Sequence, residues 1–303
     1  MNGKVLPEWV GDVPRFFTDH WRSAPAILRP AEQFTAPITL GDVDSAIDSG
    51  LLRTPYLEMI RKSTTIEESD YTTARSVNGV TSEGFADADG VRRLLDDGVT
   101  LLLRNVEHWH ATTRELVTRL EEDLGLRVET FLFITPPGEQ GLPAHRDDAD
   151  VLLLQINGSK HWKIYGGPQS PHWKPGRAGN VGPALLDESV HEGDVLYIPR
   201  GFAHEAVGED SLSVHLSFTI REVSLPELHA GLLRLLLDDL RLERRPLTED
   251  DLLADADGLL QRFKVGIDKI TPAEVLAEAR RVKLERRQRS VSSLAELVAA
   301  SLV

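Results

Sequence analysis

The sequence of 303 residues contains no cysteine, which excludes a disulfide framework and any chemistry based on a thiolate. It also lacks an apolar run near the roughly 18 residues that a membrane span requires. The first residues, MNGKVLPEWVGDVPRFF, contain no apolar segment of the kind found in a secretory signal. We therefore expect a cytoplasmic protein with no membrane partner.

Basic residues are scarce relative to acidic ones. There are 34 Lys and Arg against 48 Asp and Glu, which gives a formal net charge of −14. Such a charge repels phosphates, so we expect no nucleic-acid partner, although it suits a basic peptide or protein. The sequence also shows no glycine-rich phosphate loop and no Ser-His-Asp arrangement with a familiar local context.

The central part of the chain, up to Arg221, consists mainly of short strand patterns. In order these are GVTLLL (98–103), VETFLFIT (128–135), VLLLQI (151–156), HWKIY (161–165), DVLYI (194–198) and SLSVHLSF (211–218). A helix is predicted at 109–124, before Gly125, and a shorter one at 43–52. Asn157-Gly158 predicts a hairpin between two of the strands. Strands at this spacing indicate a sandwich or barrel.

After Arg221 the sequence becomes helical. Capping patterns mark helix starts at 224–227, 271–274 and 293–296. The first of these helices carries a leucine face made of Leu228, Leu232, Leu235 and Leu236, which we expect to bury itself in a homodimer. A basic run follows, with Arg280, Arg281, Lys283, Arg286, Arg287 and Arg289. We interpret this run as a solvated helix face.

The stretch LPAHRDDADVLLLQINGSKHWKIY (142–165) contains the first candidate for chemistry. His145 and Asp147 are two residues apart, so on a strand both side chains point to one face and can converge on one ion. His204, on a later strand in EGDVLYIPRGFAHEAV, is the best third ligand. Two histidines and one carboxylate are typical of non-heme Fe(II) oxygenases, and the same set also serves catalytic zinc.

The position of Lys160 decides between an iron site and a zinc site. A turn at Asp147–Asp150 and the predicted hairpin would bring Lys160 into the interior of the barrel, opposite Gln155. A buried lysine needs an anion to offset its desolvation. A dicarboxylate that chelates the metal at its other end would supply one, which favours an iron oxygenase. An exposed hairpin lysine is the alternative if the three ligands do not come together.

Three segments together resemble the Jumonji-C (JmjC) 2-oxoglutarate oxygenases, in particular their ribosomal oxygenase branch of cupin-like protein hydroxylases. ITPPGEQGLPAHRDDADVLLLQINGSKHWKIY (134–165) is similar to that branch's metal-strand segment. EGDVLYIPRGFAHEAV (192–207) is similar to its distal-histidine segment, and PRFFTDHWRSAPAILRP (14–30) to its entry motif. The resemblance covers about two thirds of the chain.

The resemblance implies a mainly β fold with helices, built on a double-stranded β-helix (cupin, jelly-roll) core. It implies an oxygenase domain at 1–222, with N-terminal α/β elements, and a helical region at 223–303 that combines dimerisation helices with a shortened winged-helix-like remnant. Its implied cofactor is Fe(II), with 2-oxoglutarate and O2 as co-substrates. The implied site residues are His145, Asp147 and His204 for the metal, and Lys160 and Thr135 for 2-oxoglutarate.

Phe131 and Phe133 depart from this branch, because some of its members have Asn and Tyr there. The function implied by the resemblance is hydroxylation of an amino-acid side chain in a protein substrate, such as a ribosomal protein. A hydroxylase that tailors a peptide natural product and a non-catalytic metal-binding cupin scaffold are the alternatives. His215, on the last strand of the barrel, is interpreted as a satisfied core histidine; the alternative is a residue that approaches the substrate.

Overall fold

The computed structural model describes residues 4–30, 35–62, 64–237 and 247–285. The chain divides into two compact units. The first comprises residues 1–124 and 128–221, and the second comprises residues 125–127 and 222–303. The last three arginines of the basic run and the capping pattern at 293–296 lie outside the described residues.

The elements of the described residues are as follows. The helices are α1 Val5–Val10, α2 Val13–Asp19, α3 Leu40–Asp48, α4 Ala88–Asp96, α5 Val106–Trp109, α6 Ala111–Leu124, α7 Leu225–Leu237, α8 Glu249–Ile267 and α9 Pro272–Glu285. The strands are β1 Ala26–Leu28, β2 Leu57–Ile60, β3 Thr72–Val77, β4 Val80–Ala86, β5 Thr100–Arg104, β6 Arg127–Thr135, β7 His145–Arg146, β8 Asp150–Asn157, β9 Ser159–Tyr165, β10 Gly176–Arg177, β11 Ala184–His191, β12 Val195–Ile198, β13 His204–Gly208 and β14 Ser213–Arg221. No described helix is both long and apolar enough to cross a membrane.

Two sheets form the core of the first unit. The larger sheet has seven strands in the order β1-β12-β8-β14-β6-β5-β2, and the smaller has five in the order β10-β7-β13-β9-β11. From β6 onward the chain passes repeatedly between the sheets: β6, β8, β12 and β14 lie in the larger one, and β7, β9, β11 and β13 in the smaller one. This alternation is a double-stranded β-helix, so the predicted fold is confirmed.

The Asn157-Gly158 turn does not form the predicted hairpin. It joins β8 of the larger sheet to β9 of the smaller one, so it is a corner between sheets. Gly158 has a φ of +62°, and a Cβ there would lie 2.6 Å from the carbonyl oxygen of Leu212. The dipeptide thus indicated a tight turn correctly, but neither the strand pairing nor the position of Lys160 opposite Gln155.

Burial along β9 follows the strand period of two. Lys160, Trp162 and Ile164 are buried, whereas Lys163 between them is exposed. Because successive side chains point to opposite faces, this strand places one charged and two large side chains in the space between the sheets. Strand β14 differs, because all of its residues up to Ile220 are buried; His215 on this strand is 2% exposed.

The N-terminal entry segment is tied to the sheet that carries β8. The Tyr197 hydroxyl donates to Asp150 Oδ1 at 2.7 Å and accepts from the backbone N–H of Arg22 at 2.8 Å. The Arg22 guanidinium binds the other oxygen of Asp150 at 3.1 Å, and Trp21 stacks on the Tyr197 ring. Asp150 is fully buried and begins β8, so this network fixes the chain directly after the candidate metal segment.

In the second unit, α7 and α9 pack closely. A Cβ on Gly231 of α7 would lie 2.7 Å from the backbone nitrogen of Ala279 in α9, so only glycine permits this approach. Helix α8 was not predicted from the sequence, although Thr248 and Asp251 form a capping box at its start. No residue of α8 is buried, and its exposed apolar side chains are Leu252, Leu253, Leu259, Leu260, Val265 and Ile267.

Candidate active site

Three side chains meet where β7 and β13 pair. His145 and His204 are direct register partners across these antiparallel strands, and their ring centroids are 4.3 Å apart. Asp147 follows at the end of β7, with Oδ2 at 3.8 Å from His145 Nε2 and 3.5 Å from His204 Nε2. The three residues offer ligand atoms within 4.8 Å of one another, and they form the one such cluster among the described residues. We call this cluster the metal end of the site.

Both imidazole rings are oriented so that Nε2 is free to bind a metal. His145 Nδ1 lies 2.9 Å from the carbonyl oxygen of Pro143, and His204 Nδ1 lies 3.1 Å from that of Phe202. Since a carbonyl accepts only, each Nδ1 carries the proton and each Nε2 keeps a lone pair for a metal. Burial lowers the pKa of His204 to about 4, so this ring is neutral at pH 7.

The backbone around Asp147 is fixed from the opposite face of the strand. The N–H of Gly201 donates to the carbonyl oxygen of Asp147 at 3.0 Å. The Arg146 side chain points away from the ligands and donates to the carbonyl oxygens of Gly166 and Gly201. These bonds tie β7 to the turn before β13, so the two ligand-bearing segments hold each other in place.

A cavity of about 240 Å³ lies between the two sheets and opens beside these ligands. Its lining comes from both sheets and includes all three residues of the metal end. The residues that line its other end are Thr100, Phe133, Lys160, Trp162 and His215. We call Lys160, Thr135 and their neighbours Phe133, Trp162 and His215 the anchor end.

Lys160 is 4% exposed and has no carboxylate partner among the described residues. Its ammonium donates to Thr135 Oγ1 at 2.8 Å, and Thr135 also accepts from Thr100 Oγ1 at 3.3 Å. Burial lowers the pKa of Lys160 to about 7. A buried cation whose protein partners are neutral has an uncompensated desolvation cost, which a bound anion would offset.

Aromatic rings enclose this lysine. The Lys160 Nζ lies 5.9 Å from the ring centroids of both Phe133 and Trp162. The Trp162 ring lines the cavity, and its buried Nε1 has no hydrogen-bond partner in the described part of the chain. Phe131 also lines the cavity, below the guanidinium of Arg104. The two phenylalanines thus give the cavity apolar walls at positions where some members of the ribosomal oxygenase branch have Asn and Tyr.

The sequence interpretation of His215 as a satisfied core histidine is wrong. His215 is buried and its Nδ1 has no hydrogen-bond partner within the described residues. The sequence carried one signal for a site role of His215, namely its inward position on the last predicted strand. The residues that face it from the other sheet could not be assigned without the sheet register.

Acidic groups lie beside the metal end. Glu205, directly after His204, accepts hydrogen bonds from Gln140 Nε2 at 2.9 Å and from the Tyr165 hydroxyl at 2.8 Å. These bonds, together with the nearby charge of Lys62, hold the pKa of Glu205 below its usual value. Glu58 lines the cavity too, paired with Arg104. Arg200, in the turn before His204, is exposed and paired with Asp148.

Comparison with known proteins places this geometry in a family. Residues 106–228 match the family model of the JmjC domain. The chain contains a JmjC domain. The metal end, Lys160 and Thr135 all fall within the matched residues, as do β6 to β14 of the double-stranded β-helix. The resemblance to JmjC ribosomal oxygenases inferred from the three sequence segments is confirmed.

Relatives of the JmjC domain occur in larger proteins. A bifunctional lysine-specific demethylase and histidyl-hydroxylase NO66 of Drosophila simulans is 32% identical over 162 residues, which are 51% of this chain and 19% of that protein. Ribosomal oxygenase 1 of Gallus gallus is 26% identical over 212 residues, which are 67% of this chain and 34% of that protein. The chain therefore spans about a fifth to a third of the length of these curated relatives.

Solved structures share the fold. The X-ray structure of E. coli ycfD superposes with a TM-score of 0.55 at 20% identity, covering 86% of this chain and 68% of that one. A structure of this E. coli ribosomal oxygenase in complex with cobalt and 2-oxoglutarate superposes with a TM-score of 0.54 at 19% identity. The superposition covers 87% of this chain and 68% of that one. At these identities the likeness establishes the fold alone.

Proposed function

We propose that the chain is an Fe(II)- and 2-oxoglutarate-dependent oxygenase that hydroxylates an amino-acid side chain of a protein substrate. The observation that carries the proposal is the pairing of two features in one cavity. A cluster of two imidazoles and a carboxylate lies at one end, and a buried lysine with no anionic partner among the described residues lies at the other.

The donor set fits iron. Two imidazole nitrogens and one carboxylate leave coordination positions open, which is typical of non-heme Fe(II) oxygenases. His145, Asp147 and His204 would hold the ion, and both histidines are already oriented by backbone carbonyls. When bound, iron and 2-oxoglutarate supply the oxidising chemistry: O2 converts the keto acid to succinate and CO2, and a substrate C–H becomes C–OH.

The anchor end fits a carboxylate. Lys160 would bind the distal carboxylate of 2-oxoglutarate as an ion pair, with the Thr135 hydroxyl beside it. Phe133 and Trp162 exclude water from this pair, which strengthens it. Zinc hydrolysis would leave Lys160 without a role, so the lysine favours the oxygenase over that alternative.

We further propose a basic protein or peptide as the substrate, of the ribosomal-protein kind. The ionised Glu205 beside the metal end and the net charge of −14 both favour a cationic segment at the entrance of the cavity. The names of the relatives, a ribosomal oxygenase and a histidyl-hydroxylase, point in the same direction.

The test is to measure succinate release from 2-oxoglutarate by the purified protein supplied with Fe(II), and to compare host proteins with and without the gene by mass spectrometry. We expect a substrate peptide that is 16 Da heavier, by one oxygen atom, only when the gene is present. A modified small peptide product would indicate natural-product tailoring instead. Failure to turn over 2-oxoglutarate under any condition would leave a metal-binding scaffold.

We also propose that the helical region forms a homodimer. In α7, Leu228, Leu232 and Leu236 are partly covered, while Leu235 remains 39% exposed. The six exposed apolar side chains of α8 add to this uncovered surface, which a second copy would bury. Light scattering at tens of micromolar should give twice the chain mass of 33.6 kDa, and a monomer would contradict the proposal. Location in the cytoplasm remains a prediction from the cysteine-free sequence.

A further inference from the structure

His215 lies between two aromatic rings at the anchor end. Its ring stacks on Phe133, with centroids 4.8 Å apart and an angle of 13° between the planes. On the other side it meets Trp162 nearly at right angles, with centroids 5.5 Å apart. The residue lines the cavity, yet only 2% of its surface is exposed.

Packing alone does not account for a histidine here. Phenylalanine would stack on Phe133 equally well without carrying polar atoms into the interior. His215 Nδ1 is buried and has no hydrogen-bond partner in the described residues, and a group of this kind destabilises a folded chain. Burial, together with the charge of Lys160, lowers the pKa of His215 well below its usual value. The ring is therefore neutral and carries one N–H donor and one acceptor.

The surroundings of His215 are also those of Lys160. The same two rings, Phe133 and Trp162, flank the lysine, with Nζ at 5.9 Å from each centroid. Lys160 and His215 come from different sheets, since β9 belongs to the smaller and β14 to the larger one. A carboxylate held by the lysine between these rings would therefore have an imidazole from the facing sheet as its neighbour.

We propose that His215 is a second binding residue for the distal carboxylate of 2-oxoglutarate, donating its ring N–H while Lys160 supplies the charge. The proposal rests on the proposed function of the cavity. It also explains how the anchor end can lack polar side chains at Phe131 and Phe133: the neutral donor comes from the last strand instead. A neutral donor is suited to this position, because a second cation would repel the ammonium of Lys160.

The test uses the Mn(II)-loaded protein without O2, so that binding is measured without turnover. Titration calorimetry with 2-oxoglutarate should show about ten- to a hundredfold weaker binding for His215→Phe, which keeps the stacking and loses the N–H. The matched ligand is 2-oxopentanoate, which has the same chelating end and a methyl group in place of the distal carboxylate. Its affinity should be the same for wild type and His215→Phe.

A second readout is thermal stability of the ligand-free protein. His215→Phe removes an unpartnered buried nitrogen, so its melting temperature should equal or exceed that of wild type, while the stabilisation by 2-oxoglutarate should shrink. His215→Asn, which keeps an N–H donor, should lie between the two in affinity. If the phenylalanine variant fails to fold, His215→Leu gives the same comparison.

Each other outcome overturns the inference in a recognisable way. Unchanged 2-oxoglutarate affinity in His215→Phe would make the histidine a packing residue. Equal weakening of both ligands would place its effect on the metal end or the fold. Absence of 2-oxoglutarate binding in wild type, or an affinity that Lys160→Ala leaves unchanged, would instead overturn the proposed function and with it the role of His215.

Discussion

At the metal end of the cavity both histidine rings already have the partners that orient them, whereas the polar groups of the anchor end are only partly paired. His145 and His204 both donate to backbone carbonyls, and they lie opposite each other in one antiparallel pair. Within the described residues, Lys160 has a single neutral partner, and Trp162 and His215 each have a buried nitrogen without one. One end is thus organised before any ligand arrives, and the other is completed only by its ligand.

This difference shows which physical effect contributes most to ligand binding at each end. Preoriented ligands lose little freedom when the metal binds, so the metal end gains affinity from geometry. The anchor end carries the desolvation cost of a buried cation, so an anion gains affinity there by removing that cost. Variants at the two ends should therefore fail in different ways.

The largest effect is expected at the metal end. His145→Ala removes one of three ligands, so metal affinity and succinate release should both fall to background. Metal content after dialysis and turnover of 2-oxoglutarate are the measurements. Glu129→Gln, which alters an ion pair with Arg221 outside the three ligands, is the control and should bind metal like wild type. Wild-type turnover by His145→Ala in iron-supplemented buffer would show that the ligand assignment is incorrect.

The next effect is expected at Lys160. Removing one partner of a buried ion pair typically costs about 3–5 kcal/mol, so Lys160→Ala should weaken 2-oxoglutarate binding by two orders of magnitude or more. Metal content should not change, because the lysine is not a ligand. Lys160→Arg keeps the charge and should be the mildest replacement. Equal affinities for wild type and Lys160→Ala would remove the argument for an oxygenase.

The pH dependence of 2-oxoglutarate affinity should also distinguish the two ends. With a pKa of about 7 in the free protein, Lys160 is charged below pH 7 and loses its proton as the pH rises. The ion pair restores the charge, so 2-oxoglutarate binding should take up a proton above pH 7, and affinity should fall by up to about tenfold per pH unit.

Calorimetry in two buffers of different ionisation heat measures this proton uptake directly at pH 8. Lys160→Arg is the matched control, because arginine stays protonated throughout this range and should show no uptake by this residue. Proton uptake of equal size in both proteins would assign the titration to another group.

The smallest effect is expected at Thr135. Thr135→Val keeps the shape of the side chain and removes the hydroxyl that accepts from Lys160. Loss of one neutral hydrogen bond is worth about 0.5–1.5 kcal/mol, so 2-oxoglutarate affinity should fall about two- to twelvefold. Titration calorimetry of the Mn(II)-loaded protein measures this affinity. A loss as large as that of Lys160→Ala would contradict the prediction, because Thr135 would then contribute as much to binding as the lysine.

The same contrast explains how far the sequence alone could lead. The metal end was predictable because two of its ligands are two residues apart on one strand and the third sits in a recognisable strand-turn-strand segment. The double-stranded β-helix was predictable through the resemblance, and it is confirmed. Both predictions depend on short stretches whose physical meaning is local.

The anchor end was harder because its residues meet only through the packing of two sheets. Lys160 was selected correctly as a buried cation, but through a hairpin that does not exist. His215 was assigned to the core because no local pattern shows which strand of the other sheet faces it. Helix α8 was missed although the sequence carried its signals: Thr248 and Asp251 form a capping box, and Leu252, Leu253, Leu259 and Leu260 lie on one helical face.

The corner at Gly158 has a consequence for insertions and deletions. Because β9 alternates strictly between interior and exterior, one extra residue between Gly158 and Lys160 would shift the whole strand by one position. His161 and Lys163 would then face the cavity, and Lys160 and Trp162 would face solvent. The length of this connection is therefore under a stricter constraint than its composition. Homologues that keep the same co-substrate should keep Gly158 and vary the other residues of the corner, while preserving the parity of their number.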